Sequence, residues 1–441
     1  MKPRPRKLLA DYGMVLVLLL LCAFFSIITV TEQFPVGADA AAHVARQLGA
    51  MGLPRDSAVL VAVGNEPMDE AFARRLGTDL PAIGLKVAAV ARGEPKDARD
   101  ALAHVVSHGQ PLAAVACTRS AASWLVFSDM RSDFPSLGSP RVVSPQGRRW
   151  PNFLKPENLL NIANQIAVIA IIAIGMTVVI ITGGIDLSVG SLLALSAVLA
   201  TRFIRDLAGG ATASAPGMLL SSLGAIAVCG GIGAFSGAMI TRFRIPPFIV
   251  TLAMMLVGSG MAYTLANGQS VYQVPDSFTW LGRGADILGL PNAVVVMLAL
   301  YAGAHVLMSR MRVGRHLYAV GGNPEAARLS GVPVRRVLML AYVTSALLAG
   351  LGGVIMASQL RSGSATYGTM YELYVIAAVV VGGTSLSGGE GKMPGTLIGA
   401  FTIAVIQNGM NLANVESYTQ RVVLGLVILG AVLLDKLRQG R

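Results

Sequence analysis

The stretch Ala167–Ser191, AVIAIIAIGMTVVIITGGIDLSVGS, decides how the rest of the chain must be read. It closes an uncharged apolar run, predicted as a helix over 158–182 and long enough to cross a hydrocarbon core of about 30 Å. The paired Gly183 and Gly184 then break that helix, since glycine loses more backbone freedom on ordering than any other residue. A second apolar run, predicted as a helix over 187–204, begins almost at once. The turn that holds Gly183, Gly184, Asp186, Ser188 and Gly190 therefore has apolar chain on both sides. Irregular backbone at membrane depth is tolerated only inside protein or beside a water-filled cavity. Asp186 and Ser188 can cap the next helix by accepting from its free N–H groups, which is the plainer reading. A carboxylate near hydrocarbon also marks a functional position, and direct contact with a solute is the sharper reading.

Outward from this turn the pattern repeats. Candidate spans fall at 11–31, 158–182, 187–204, 217–240, 246–266, 291–309, 336–357, 372–388, 394–412 and 419–434. The 441 residues are 54% hydrophobic and only 13% charged, too apolar for an ordinary soluble domain. The expected fold class is an α-helical polytopic membrane protein of about ten transmembrane helices, with the lipid bilayer as solvent.

A net charge of +12 raises the question of nucleic acid. The basic residues form no stripe or face, and outside a polar insert they sit in short loops between apolar runs, so no nucleic-acid partner is expected. With a cytoplasmic N-terminus, strict alternation puts Lys2, Arg4, Arg6 and Lys7 inside, then Arg242 and Arg244. Arg310, Arg312, Arg315, Arg328, Arg335 and Arg336 follow, and finally Lys392, Lys436, Arg438 and Arg441. The short outer loops hold Arg202, Arg205, Arg283, Arg361 and Arg421. This asymmetry suits both termini on the cytoplasmic side of the cell (inner) membrane. Arg148, Arg149 and Lys155 run against it, but they close a long segment, where the rule is weaker. The first span has a basic start and an Ala38-Asp39-Ala40 site that imitates a cleaved signal peptide. Its apolar length and the parity of the spans favour a retained helix.

Three segments follow from this layout: 1–31 as tail and first helix, 32–152 as a polar insert on the outer face, and 153–441 as the membrane domain. In the insert, strand signals at Ser57–Val63, Lys86–Ala91 and Leu112–Cys117 alternate with helical stretches at Met68–Leu80 and Lys96–Val106. That order predicts a small parallel-sheet α/β domain. Gly64, Asn65 and Glu66 would end the first strand, as a tight turn or, less plainly, as part of a ligand crevice. His104 and His108 lack a third ligand nearby, so no metal site is expected. Cys22, Cys117 and Cys229 read as small core residues rather than a disulfide framework.

Two further segments carry mechanism. In Ser309–Arg336, Asn323 can cap and Pro324 open a short helix from Glu325 to Ser330, holding Ala326, Ala327 and Arg328, which Gly331 would end. A rigid, self-capped knob in a cytoplasmic loop can serve a partner or act as an inert connector. Val381–Gly391, VGGTSLSGGEG, followed by Pro394–Ala400, is a glycine-rich turn between spans. It is no phosphate-binding loop: Leu386 stands where the first glycine is required and Met393 where Ser or Thr belongs. The chain is expected to be no enzyme and to hold no cofactor.

Gly183–Ser191, Tyr318–Val332, Val381–Gly391 with Pro394–Ala400, and the Asn408–Asn411 and Tyr418–Ile428 stretches together resemble the permease family of ribose-, xylose- and galactose-type sugar ABC importers. The resemblance covers about 153–441 and, by position, the first span. It implies cytoplasmic ABC ATPase subunits, a periplasmic sugar-binding protein and a second permease subunit, identical or paralogous. It also implies that Asn323–Gly331 docks the ATPase. The insert of 32–152 departs from the family pattern. Amides and hydroxyls within spans are candidates for the sugar path: Asn164, Gln165, Thr177, Gln407, Asn408 and Asn411. Bonding between helices is their commoner use. A stand-alone secondary transporter or channel would place more ionisable groups in the spans than Asp186, His305 and Glu372. A membrane sensor with an outer ligand-binding domain would need an output domain after Leu434.

Overall fold

The computed structural model describes residues 5–109 and 111–439, which fall into two compact units, Met1–Thr29 with Asn152–Arg441 and Val30–Pro151. Lys2, Arg4 and Arg441, counted in the charge bias above, lie outside the described residues.

In the larger unit, an apolar helix occupies each predicted span: α1 (Pro5–Ile28), α2 (Pro156–Ile181), α3 (Val189–Leu207), α4 (Ala215–Phe243), α5 (Pro247–Ala266) and α6 (Asn292–Arg310). Two helices of the intervening loop follow, α7 (Arg312–Gly322) and α8 (Pro324–Leu329). Then come α9 (Val334–Leu360), α10 (Tyr371–Val381), α11 (Met393–Leu412) and α12 (Ser417–Gln439). Among the described residues α2, α4, α5, α6 and α9 are long and apolar enough to cross a membrane by length and composition alone.

Burial in this unit is graded. Ile166–Thr182 and Ser188–Thr201 are buried without interruption, so α2 and α3 form the core. The helices around them turn large apolar side chains outward, among them Leu220, Phe235, Phe248 and Leu256. Only a hydrocarbon solvent makes that distribution inexpensive. Close helix contact comes from small residues. Gly233 and Gly237, one turn apart on α4, lie against α9, where an added Cβ would come within 2.7 Å of the Tyr342 carbonyl and 2.8 Å of Met339 Sδ.

One predicted span is corrected. The helix expected over 372–388 ends at Val381, and its eleven residues reach only about 16 Å. The chain reaches it through the irregular stretch 361–370, which descends alongside α3. Gly363 lies against Thr201 and Ala197, whereas Gly368 lies against Gly190 and Leu193, about two turns away on the same helix. A single periodic apolar pattern thus conceals a half-length helix that starts within the bundle.

The smaller unit has a parallel sheet of β2 (Ala58–Val63), β3 (Lys86–Arg92), β4 (Leu112–Cys117) and β5 (Arg141–Val143), in the order β3-β2-β4-β5. A separate antiparallel pair joins β1 (Val30–Gln33) to β6 (Arg148–Pro151). Alternation along β2 builds two cores. Val59, Val61 and Val63 pack with Phe72, Leu76 and Leu80 of the helix Pro67–Ala82, while Leu60 and Ala62 pack with Ala98, Leu102 and Val105 of Pro95–Ser107. Both helices open with a proline and a reciprocal acidic cap, Glu66 with Asp69 and Glu94 with Asp97. Cys117 is buried at the end of β4, and burial pushes its thiol up to about 12, so it stays protonated at neutral pH. His104 and His108 lie against each other, rings tilted by 36°, on an exposed face, and no metal-binding group of side chains occurs among the described residues.

Candidate functional site

The three motifs, far apart in sequence, meet at one place. The break after α2 begins as a glycine C-cap: Gly183, at φ +80°, donates to the Ile180 carbonyl, and Gly184 donates to Val179. The Ile181 carbonyl, left over at the helix end, accepts from the N–H of Gly389 in the glycine-rich turn at 2.8 Å. Gly321, near the end of α7, completes the contact. A Cβ there would collide with the Ile181 carbonyl and come within 2.6 Å of the Gly389 nitrogen. Gly388 and Gly389 press in turn on Gly321, Gly322 and Gly183. The Tyr318 hydroxyl, one turn back on α7, donates to the Gly391 carbonyl at 2.7 Å. Three backbones therefore touch with no side chain between them.

The loop helix α8 extends directly from this junction. The Ala326 N–H donates to Asn323 Oδ1 at 2.9 Å, Pro324 fills the first helical position, and Gly331 ends the turn at φ +81°. Glu325 pairs with Arg328 at 2.9 Å on the exposed face, where such a pair contributes little. Ala327 is buried, and Leu329 is 82% exposed, an apolar tip with no neighbour to cover it. Asn323, Pro324, Glu325, Ala326, Ala327, Arg328 and Gly331 thus form one short, self-capped knob.

Asp186 lies just beyond the break and is buried. Its Oδ1 accepts from the Ser188 N–H at 3.0 Å and the Ser188 hydroxyl at 2.6 Å; its Oδ2 accepts from Ser345 of α9 at 2.8 Å. The carboxylate holds the turn closed and ties it to α9, while Ser188 itself occupies the N-cap of α3 without a side-chain cap bond. The Tyr342 hydroxyl, buried against Gly184, has no hydrogen-bond partner among the described residues. Gly190 lets Gly368 and Glu372 approach α3, where a Cβ would come within 2.6 Å of the Gly368 carbonyl.

The residues proposed for a solute path separate into groups. Thr177 bonds the Ala173 carbonyl at 2.6 Å and Thr396 of α11 at 2.8 Å, a contact between helices. Asn408 exchanges two amide hydrogen bonds with Asn158, at 2.9 and 3.0 Å. Asn411 accepts from Gln420 at 2.7 Å. Gln165 and Gln407 instead line one cavity of about 290 Å³ among α2, α9, α10 and α11. Gln359 and Tyr371 line the same cavity, and neither was singled out in the sequence. Asn164 stands behind Gln359, accepting from its amide through both the backbone and the side-chain oxygen at 3.1 and 3.3 Å. A polar residue near the end of an apolar run was the available signal for Gln359. For Tyr371 there was none, because nothing in its own neighbourhood marks it as facing a cavity built by α2, α9 and α11.

The larger unit thus combines a broken core helix, a half-length helix and a self-capped loop knob. The family described as "Branched-chain amino acid transport system / permease component" matches residues 158–432. The ribose import permease protein of Escherichia coli (strain K12) is 44% identical over 293 residues, 66% of this chain and 88% of that protein. Its Bacillus subtilis (strain 168) counterpart is 44% identical over 288 residues, 65% and 87% of the two chains. The L-arabinose ABC transporter permease protein of Azospirillum brasilense is 35% identical over 291 residues, 66% and 83%. No solved structure matches. The chain belongs to this permease family, and relatives named for ribose, D-allose and L-arabinose transport mark it as a sugar ABC transporter permease. It is a multi-pass membrane transport component rather than an enzyme.

Proposed function

We propose that the chain is the membrane-spanning subunit of an ATP-driven importer of a monosaccharide or related small polar solute. Separate cytoplasmic ATPase subunits drive it, a periplasmic sugar-binding protein loads it, and a second permease subunit pairs with it. On this reading the ten apolar helices cross the inner membrane with both termini cytoplasmic, and Val30–Pro151 is extracytoplasmic. The observation that carries the proposal is the contact of Gly321 and Gly389 with the Ile181 carbonyl. It joins the loop knob α8 to the break between the two core helices. A push on the knob by a nucleotide-driven partner reaches the core through packed backbone, which shifts between discrete arrangements rather than yielding smoothly.

The test is Glu325→Lys in the reconstituted transporter. It reverses the charge at the first turn of α8, removes the Arg328 pair and leaves the bundle untouched. Membrane level should stay normal, while sugar uptake and sugar-stimulated ATP hydrolysis fall together. Normal uptake in a well-expressed variant would falsify the coupling role of α8. Gly331→Pro is a second probe: proline cannot adopt the left-handed φ found there, so the end of the knob must rearrange.

A further inference from the structure

The cavity among α2, α9, α10 and α11 has a chemistry that selects its occupant. Its polar lining consists of the amides of Gln165, Gln359 and Gln407 and the Tyr371 phenol; isoleucine, methionine, leucine and alanine supply the rest. No carboxylate, ammonium or guanidinium lines it. Glu372, next to Tyr371, is directed at Gly190 of α3 instead. The amides of Gln165 and Gln407 have no hydrogen-bond partner among the described residues. Gln165 lies ten positions into α2, about 15 Å from its start, where an exposed amide must find water or a partner. The half-length helix α10 opens at the cavity with Tyr371, and the irregular backbone before it lies deep beside α3. Non-helical chain at such depth is stable where it is enclosed by protein or lines a watery space.

From these features we infer that the cavity is a solute-binding site of the permease itself, built for a neutral polyhydroxylated molecule and closed to zwitterions. Amides donate and accept at once, as hydroxyl groups do, so three of them satisfy several hydroxyls of a sugar whichever way each O–H points. The Tyr371 ring and the aliphatic walls suit the C–H faces. An amino acid entering the same space brings an ammonium and a carboxylate with no counter-charge, and leaving such groups unpaired on burial is expensive. Gln359 is the orienting residue, because Asn164 fixes its amide nitrogen and so aims its carbonyl. The volume of about 290 Å³ lies at the small end of the range for ligand pockets, about 300–1,000 Å³. The inference rests on the importer reading above, and adds to it the permease residues that select the substrate class.

The experiment uses the whole transporter in proteoliposomes, with labelled pentoses, labelled hexoses and L-leucine as probes. Gln359→Leu combined with Gln407→Leu removes two hydrogen-bonding groups at similar volume. Sugar uptake should fall about tenfold or more at unchanged membrane level, the loss expected for two neutral hydrogen bonds. The second measurement is thiol labelling of Gln165→Cys in a Cys22→Ser background. A membrane-impermeant reagent should modify it, a neutral sugar in excess should slow the reaction, and L-leucine should not. This second arm also decides the matter if the double variant fails to reach the membrane. If the unaltered assembly imports sugar, yet the double variant matches it and sugar gives no protection, the cavity assignment is wrong and the importer reading stands. If the unaltered assembly imports no neutral sugar, both fall.

Discussion

The glycine junction and the glutamine cavity lie in one helical unit and are built on opposite terms. At the junction, Gly321, Gly388 and Gly389 bring three backbones so close that even a methyl group would collide. In the cavity, Gln165 and Gln407 stand apart, their amides without a partner among the described residues. The first arrangement suits a contact that must transmit displacement without slack. The second suits a space that must take up and release a hydrated molecule. Transport needs both, and this fold separates them along its core helix: the junction is at the end of α2, the cavity along its first half.

The comparison is broken most severely at the junction. Gly321→Val puts a branched side chain where the Ile181 carbonyl already lies. Overpacking of about 1–3 kcal/mol or more is expected, read as a lower unfolding temperature in detergent and as loss of uptake. Asp186→Ala comes next. It leaves the Ser188 and Ser345 donors buried without an acceptor, at a cost of about 1–3 kcal/mol; a thermal shift checks it, and Asp186→Asn should recover part of the loss. Asn408→Ala removes the reciprocal pair with Asn158. It should lower stability by about 1 kcal/mol while uptake per folded molecule stays unchanged, because that pair lies outside the cavity. Gly331→Ala should have the smallest effect. Nothing lies within 4 Å of the added Cβ, so only the left-handed backbone opposes it, by about 1 kcal/mol, and uptake should remain close to normal.

Legibility in the sequence followed how local each cause was. Apolar length and basic loops located the helices, and the strand signals Ser57–Val63 and Leu112–Cys117 stood out as short β-branched or small apolar runs, the first strand starting one residue later at Ala58. The α8 knob was readable to within a residue at each end, Pro324–Leu329 against an expected Glu325–Ser330, since Asn323, Pro324 and Gly331 act on their own neighbours. The shortness of α10 was not, although Gly382 and Gly383 follow Val381, because only contacts with α3 reveal where the chain enters the bundle. The junction itself was invisible. The glycines of Val381–Gly391 read as turn-formers, whereas Gly388 and Gly389 are held by Gly321, Gly322 and Ile181, all distant in sequence. Among the polar residues in spans, composition could not tell Gln165 and Gln407, which face open space, from Asn408 and Thr177, which bond other helices.

The chain leaves the helical unit at Thr29 and re-enters at Asn152, and the Asn152 N–H donates to the Thr29 carbonyl at 2.9 Å. A guest with touching ends asks nothing of its host. Whatever happens within Val30–Pro151, whether growth, loss or exchange for another domain, the helices at the two doorposts keep the same separation and direction. The fold thus carries a port: a position where evolution can try new sequence without retuning the membrane machinery. An experimenter can place a fluorescent or affinity module there with the same freedom.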